Sequence, residues 1–193
     1  MEIQYINQAS NIILNSRIQL KKIKKLPVNC EPQNMKEAYE IQNSLVKKYL
    51  YKNENEKVIG KKIGCTNKAA QEQINVKEPF YGNIFSHYSS KSNCKIQSKD
   101  FFSPLIEPEF SFKIKEELNI SNAPYSPKEV YNSIHSVLPS IEIVDSRFNN
   151  WTKVGINNLI ADNAANAYWI YGEEIYELQS FNFDDHPVIL YVN

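Results

Sequence analysis

The sequence predicts an α+β fold in which helices come first and short strands follow. Two observations carry this expectation. Apolar residues recur with a helical period up to about residue 55, and from "KVIGKKIGCT" onward they collect in short runs separated by turn residues. Strands and helices do not alternate regularly, which points away from βαβ units around a parallel sheet. The length fits one domain over residues 1–193, with a helical region at 1–55 and a β-rich core at 56–193.

The first helix has Ile3, Ile6, Ala9 and Ile13 on one face and runs to about Leu20. "LKKIKKLP" follows, and Pro27 ends the element. Its lysines read as a solvated helix end more readily than as a phosphate site. A second helix starts near Asn34, where Asn34 with Glu37 three residues on resembles a capping box, and Ala38, Ile41, Leu45 and Tyr49 form its buried stripe. Gly60 and Gly64 bracket a short strand containing Lys61, Lys62 and Ile63. "NKAAQEQI" reads as a short helix, "KEPFYGN" as a turn, and "KIQSKDFFSPLIEPEFSFKI" as one or two strands. "YSPKEVYNSIHSVL" predicts a helix with Ser126 as N-cap, Pro127 at the first helical position and Glu129 completing a capping box; Val130, Ile134 and Val137 form its apolar face. "PSIEIVDSRF", "AYWIYG" and "HPVILYV" are further strand candidates.

Composition narrows the function classes. With 42% hydrophobic and 23% charged residues the chain has the make-up of a soluble globular protein. Its formal net charge of zero lacks the basic excess of many nucleic-acid or membrane-surface binders, so neither partner is expected. No run approaches about 18 consecutive apolar residues, and the polar N-terminus does not read as a secretory signal. Cys30, Cys65 and Cys94 are odd in number, widely spaced and without a CxxC pair, which fits reduced thiols in a cytoplasmic protein.

The informative stretch is "PLIEPEFSFKI", residues 104–114. Alternation along a strand puts Ile106, Phe110, Phe112 and Ile114 on one face and Glu107, Glu109, Ser111 and Lys113 on the other. The two glutamates then point the same way from alpha carbons about 6.5–7 Å apart. A solvated sheet face is one reading and a ligand pair is the other. Pro108 removes a ladder donor, so the strand lies at an edge or contains a bulge. A third acid, Glu142, sits among Ile141, Ile143 and Val144, where burial demands a basic partner such as Arg147 or Lys62, or a metal. Three carboxylates suit a hard cation such as Mg²⁺ or Mn²⁺. Zinc is less attractive, because His87, His135 and His186 show no ligand spacing. Either Lys61 or Lys62 must face inward, as a salt-bridge partner or as a functional lysine. Asp162 and Asn163 in "IADNAANAYW" favour a turn by themselves.

Six segments occur in order: "AYEIQ" (38–42), "GKKIGCTNKAAQEQI" (60–74), "EPFYGNIF" (78–85), "IEPEFSF" (106–112), "LPSIEIVDSRFNNW" (138–151) and "IADNAANAYWIYG" (160–172). Together they resemble the 2-keto-4-pentenoate hydratase family of the fumarylacetoacetate hydrolase superfamily. The resemblance implies the superfamily's β-rich catalytic fold with helices packed outside. It implies that Glu107, Glu109 and Glu142 hold Mg²⁺ or Mn²⁺, the rest of the E-x-E strand being core. It further implies that Lys62 is the acid/base and substrate-binding lysine, that Asp162 is a second catalytic residue that also binds substrate, and that Arg147 binds the small 2-oxo-acid substrate. The implied reaction is hydration of a 2-hydroxy-2,4-dienoate (2-oxopent-4-enoate) to a 4-hydroxy-2-oxo acid. Phe80 stands where several hydratases carry an acid, and "EPE" with "DSR" echoes the sister 4-oxalocrotonate-type decarboxylases, so decarboxylation is the alternative. Family members continue past the position of Asn193. The expectation is therefore a fold incomplete at its C-terminal end, with uncovered apolar surface that favours self-association as a homo-oligomer. A third reading is then a non-catalytic homologue that binds metal or a partner.

Overall fold

The computed structural model describes residues 1–183 and 185–192. It is an α+β protein, as the pattern predicts, and its chain gathers into two compact units where the sequence reads as one domain. The first comprises residues 1–89, 95–105 and 143–168; the second comprises 90–94, 106–142 and 169–193.

In the first unit, α1 (Ile3–Gln19) and α2 (Met35–Lys52) pack along their apolar stripes. Ile6, Ala9, Ile13 and Leu14 of α1 meet Ile41, Leu45 and Tyr49 of α2 in one buried cluster with Phe85 and Phe148. The Asn34 side chain accepts the Glu37 amide, as the spacing predicts, while the Glu37 carboxylate takes the Gln33 amide. β1 (Val58–Gly64) pairs antiparallel with β2 (Phe80–Phe85), setting Lys62 opposite Gly82 and Lys61 opposite Asn83. Between them lies α3 (Lys68–Gln73), capped by Asn67. The turn expected at "KEPFYGN" is thus only a lead-in: Phe80 and the residues after it form a strand, because Phe80, Gly82, Asn83, Ile84 and Phe85 are buried against the helices. The unit closes with α5 (Ile156–Ala161) and the left-handed run Asn163–Ala165, in place of the simple turn that Asp162 and Asn163 suggest.

The second unit is built on most of a four-stranded sheet in the order β3 (Ser89–Lys91), β6 (Asn166–Tyr171), β5 (Ile134–Val144), β4 (Leu105–Ile114). β4 is an edge strand, which is where Pro108 can sit without breaking a ladder on both sides. α4 (Pro127–Ser133) carries the full capping box at Ser126 and Glu129. It stops four residues earlier than its apolar period predicts. Ile134 already has extended backbone and Val137 is buried as a strand residue, paired with Ile175.

Two expectations for this unit are corrected. "HPVILYV" is not a strand: residues 186–192 pair with no other described strand, and Tyr191 is 83% exposed. Asn193, at the end of that stretch, lies outside the described residues. The Ile106 face of β4 is not core either. Ile106, Phe112 and Ile114 are 55%, 42% and 46% exposed, whereas Glu107 and Glu109 are half-buried. Phe181 and Phe183 reach Phe110 with edge-on ring contacts, which covers only part of that face. The strand alternates as expected; its more buried side is the acidic one.

Glu174 ties two strands of this unit together. Its carboxylate accepts bonds from Lys113 of β4 at 2.8 Å and from the Ser136 hydroxyl of β5 at 2.7 Å. Those hydrogen bonds hold its pKa down at about 2. A depressed carboxylate stabilises the fold above its unfolded pKa and loses that contribution as pH falls through the folded value. Acid titration of stability should therefore show a share of the loss between about pH 4.3 and pH 2 that Glu174→Gln removes, measured by urea unfolding at each pH.

Among the described residues no helix is long and apolar enough to cross a membrane, and the three cysteines are thiols rather than members of a disulfide.

Gly82 tests the first unit. A Cβ there would press into the Asn163 carbonyl oxygen and touch the Ala164 methyl, both backbone-fixed. At Gly60 a Cβ would rest 3.6 Å from the end of Ile84, an ordinary contact. Gly82→Ala should cost roughly 1–3 kcal/mol or more as an overpacked site, and Gly60→Ala much less, as read from the midpoints of chemical denaturation.

Candidate metal-binding site

The site candidate lies within the second unit and follows from strand geometry. Glu107 and Glu109 share a face of β4 because side chains two residues apart point the same way. Glu142 projects from the adjacent β5 and is 1% exposed. One carboxylate oxygen from each of the three glutamates lies within 4.8 Å of the others. The three residues singled out in the sequence are thus brought together, and the solvated-face reading fails for Glu142. At an effective dielectric of about 20, two carboxylates at such a separation repel by about 3.5 kcal/mol. An all-oxygen set of this density suits a hard divalent cation, which takes oxygen ligands at short range and cancels that repulsion. Glu107 and Glu109 remain partly open to solvent, so a bound ion would keep room for a further ligand.

The face around the carboxylates carries a feature that pattern reading missed. Ser111 follows Glu109 by two residues and Ser140 precedes Glu142 by two, so both hydroxyls share the acidic face. They lie 2.7 Å apart. Ser140 donates to the Glu109 carbonyl at 3.2 Å, and the Trp169 indole of β6 donates to Ser111 at 3.0 Å. Residue parity alone would have placed both serines beside the glutamates; nothing in the sequence announces Trp169.

The other candidates belong to the first unit. Lys62 is buried, while Lys61 is exposed as a residue although its amine is partly covered, over the Tyr81 ring and bonded to Asn83 Oδ1. Strand alternation therefore turns Lys62, not Lys61, inward. Burial lowers the Lys61 pKa. Arg147 and Asp162 form a buried ion pair, 3% and 0% exposed. Asp162 also accepts the Ser146 hydroxyl at 2.8 Å and the Arg147 amide at 2.9 Å. The remaining Arg147 donors reach the carbonyls of Asp145, Asp162 and Asn166. This guanidinium is committed to the fold of its own unit. Arg17 lies close by, bonds the Asn166 carbonyl, and has its pKa lowered to about 10 by burial first and by the Arg147 charge second. Asp145 was not singled out in the sequence; its carboxylate accepts the amides of Phe102 and Ser103 at 2.8 and 2.9 Å and so fixes the loop that leads into β4.

Comparison with known proteins gives a consistent picture. No family model matches the chain. The TodF product hydratase of Pseudomonas putida is 31% identical over 126 residues, covering 65% of this chain and 46% of that protein. The 2-hydroxyhexa-2,4-dienoate hydratase of Comamonas testosteroni is 30% identical over 76% of this chain and 54% of its own length. The 2-hydroxypent-2,4-dienoate hydratase of Pseudomonas putida is 29% identical over 90% and 77% respectively. The chain thus spans about half the length of the first two relatives. Among solved structures, 4-oxalocrotonate decarboxylase from Pseudomonas putida G7, complexed with magnesium and adipate, superposes with a TM-score of 0.82 at 24% identity, over 94% of this chain and 67% of that one. That likeness establishes the fold.

Breaking the Arg147–Asp162 pair leaves one buried charge without its counter-ion. Asp162→Ala should therefore lower the unfolding free energy by about 3–5 kcal/mol, read from urea denaturation. A loss below about 1 kcal/mol would place the pair in the range of exposed salt bridges instead.

Proposed function

The chain is a homologue of the 2-keto-4-pentenoate hydratases, and from that premise we propose that it serves metal-dependent hydration of a 2-hydroxy-2,4-dienoate to a 4-hydroxy-2-oxo acid. The observation that carries this reading is the convergence of Glu107, Glu109 and Glu142 on one sheet face. These three side chains are the proposed ligands of one Mg²⁺ or Mn²⁺. The solved 4-oxalocrotonate decarboxylase structures of the same fold were obtained with magnesium and with calcium, which supports a divalent ion of this hardness. When bound, such an ion supplies Lewis-acid stabilisation of the enolate of a 2-oxo acid.

Proton transfer is assigned to Lys62, whose inward orientation removes it from bulk water. Asp162 and Arg147 enter as a neutralised buried pair. Their hydrogen bonds favour a positioning role over direct proton transfer, because each charged group is already matched. A small 2-oxo acid is the proposed ligand, and the odd, widely spaced cysteines suit a reducing cytoplasm.

Decarboxylation is the second reading. It is favoured by the fold match to 4-oxalocrotonate decarboxylase and by a relative of that name from Pseudomonas sp., 25% identical over 94% of this chain. Both reactions stabilise the same kind of enolate and differ in what leaves or adds afterwards.

The test is a pair of assays on the purified chain with Mg²⁺: loss of the dienol absorbance of 2-hydroxypenta-2,4-dienoate, and CO₂ release from a 2-oxo-enedioate. Hydration that stops on chelation and falls about 10²–10⁴-fold in Lys62→Met, with Lys61→Met little changed, is the expected result. CO₂ release without hydration would move the assignment to the decarboxylases. Metal binding with neither reaction would make the chain a non-catalytic homologue.

A further inference from the structure

The hydroxyl pair beside the carboxylates has a direction. A serine hydroxyl carries one hydrogen and an indole nitrogen only donates. Ser140 gives its hydrogen to the Glu109 carbonyl. The short Ser111–Ser140 contact must then take its hydrogen from Ser111, which leaves the Ser111 oxygen to accept from Trp169. The result is a one-way chain from β6 through β4 to β5 and back onto the main chain of β4: Trp169 to Ser111 to Ser140 to the peptide of Glu109. Each serine accepts one bond and donates the next, an arrangement in which neighbouring bonds polarise and strengthen one another.

Its end point matters. Glu109 is one of the three carboxylate residues, and its neighbour Pro108 has no amide hydrogen to give to the ladder. β4 is also the edge strand of its sheet, with β5 as its one neighbour among the described residues. The stretch that presents two carboxylates therefore includes a residue that cannot donate to a ladder, on a strand at the edge of its sheet. The side-chain chain supplies a tie there, on the same face and two residues from the carboxylates on each strand.

We propose that Trp169, Ser111 and Ser140 are positioning residues of the metal site, fixing the main chain of Glu109 so that Glu107 and Glu109 meet Glu142 at ion-binding distance. This inference rests on the reading of the three glutamates as metal ligands. Ligand sets lose function when held more loosely than about half an ångström, and removing groups that orient ligands commonly weakens metal binding by about 10–100-fold.

The experiment is Mn²⁺ titration of the 193-residue chain, followed by water proton relaxation, with circular dichroism confirming that each variant is folded. Ser140→Ala and Ser111→Ala should each weaken Mn²⁺ binding about tenfold or more. Ser140→Thr keeps the hydroxyl and should recover most of the affinity, and Trp169→Phe should give a smaller loss. Ser136→Ala is the control: it removes a hydroxyl from the same strand that bonds Glu174 and should leave Mn²⁺ affinity unchanged. Unchanged affinity in both Ser140→Ala and Ser111→Ala overturns the inference. So does an equal loss in Ser136→Ala, which would mean general loosening of the sheet. Glu142→Gln separates the two levels. If it too binds Mn²⁺ like the unchanged chain, the metal site itself is wrong and the inference falls with it; if it loses the ion while the serine variants keep it, only the positioning role falls.

Discussion

Three carboxylates gathered on one face of a sheet, within 4.8 Å of one another, are the constraint around which the second unit is read, because ionised carboxylates so close repel. Glu107, Glu109 and Glu142 come within 4.8 Å because alternation puts the first two on one face of β4 and β5 lies beside it. At about 3.5 kcal/mol per ionised pair, such crowding is not what a sheet would adopt for stability. It is the arrangement that the proposed divalent-cation site would require. The edge placement of β4, the proline between its two glutamates and the hydroxyl chain from Trp169 all bear on how that crowded face is held. Glu174 fastens the same two strands through Lys113 and Ser136.

The first unit solves a different problem, the burial of charge. Arg147 and Asp162 are almost wholly enclosed, and each finds its partners within the segment from Asp145 to Asn166: each other, Ser146, and the carbonyls of Asp145, Asp162 and Asn166. The left-handed run Asn163–Ala165 is paired to β2 by a reciprocal clamp, in which Asn163 accepts the Asn83 amide and donates to the Asn83 carbonyl. Gly82 stands where that run comes closest, and any larger residue would collide with its backbone. The α1–α2 pair supplies the apolar body against which β2 is buried.

Local chemistry in the sequence was the most legible part of this molecule. The Ser126–Glu129 capping box, the Asn34 cap and the E-x-E alternation needed only neighbours within a few residues, and the structure contains all of them. Signals that depend on distant partners were the ones misread. The apolar period of α4 continues through Ile134 and Val137, yet pairing in the sheet claims those residues. "KEPFYGN" has turn residues, but Phe80 onward is pulled into a strand by burial against the helices. "HPVILYV" has the composition of a strand and no described strand to pair with. The Ile106 face of β4 looked like core by hydrophobicity alone, although which face is covered depends on what packs there. For the site, residue types and parity drew attention to the three glutamates, while parity left Lys61 and Lys62 open and only the family resemblance pointed to Lys62. Trp169 and Asp145 were invisible, since their roles are set by hydrogen bonds to residues about 58 and 43 positions away.

The central claim is that the three glutamates form one divalent-cation site, and stability linkage tests it without any assumption about turnover. An ion that binds the folded chain and not the unfolded one adds RT ln(1 + [L]/Kd), about 2.7 kcal/mol at one hundred times Kd. Urea unfolding across a Mg²⁺ series should show the unchanged chain gaining stability along that curve, with Glu107→Gln and Glu142→Gln gaining little. Equal Mg²⁺-dependent stabilisation of the variants and the unchanged chain, or none in any of them, would contradict the account.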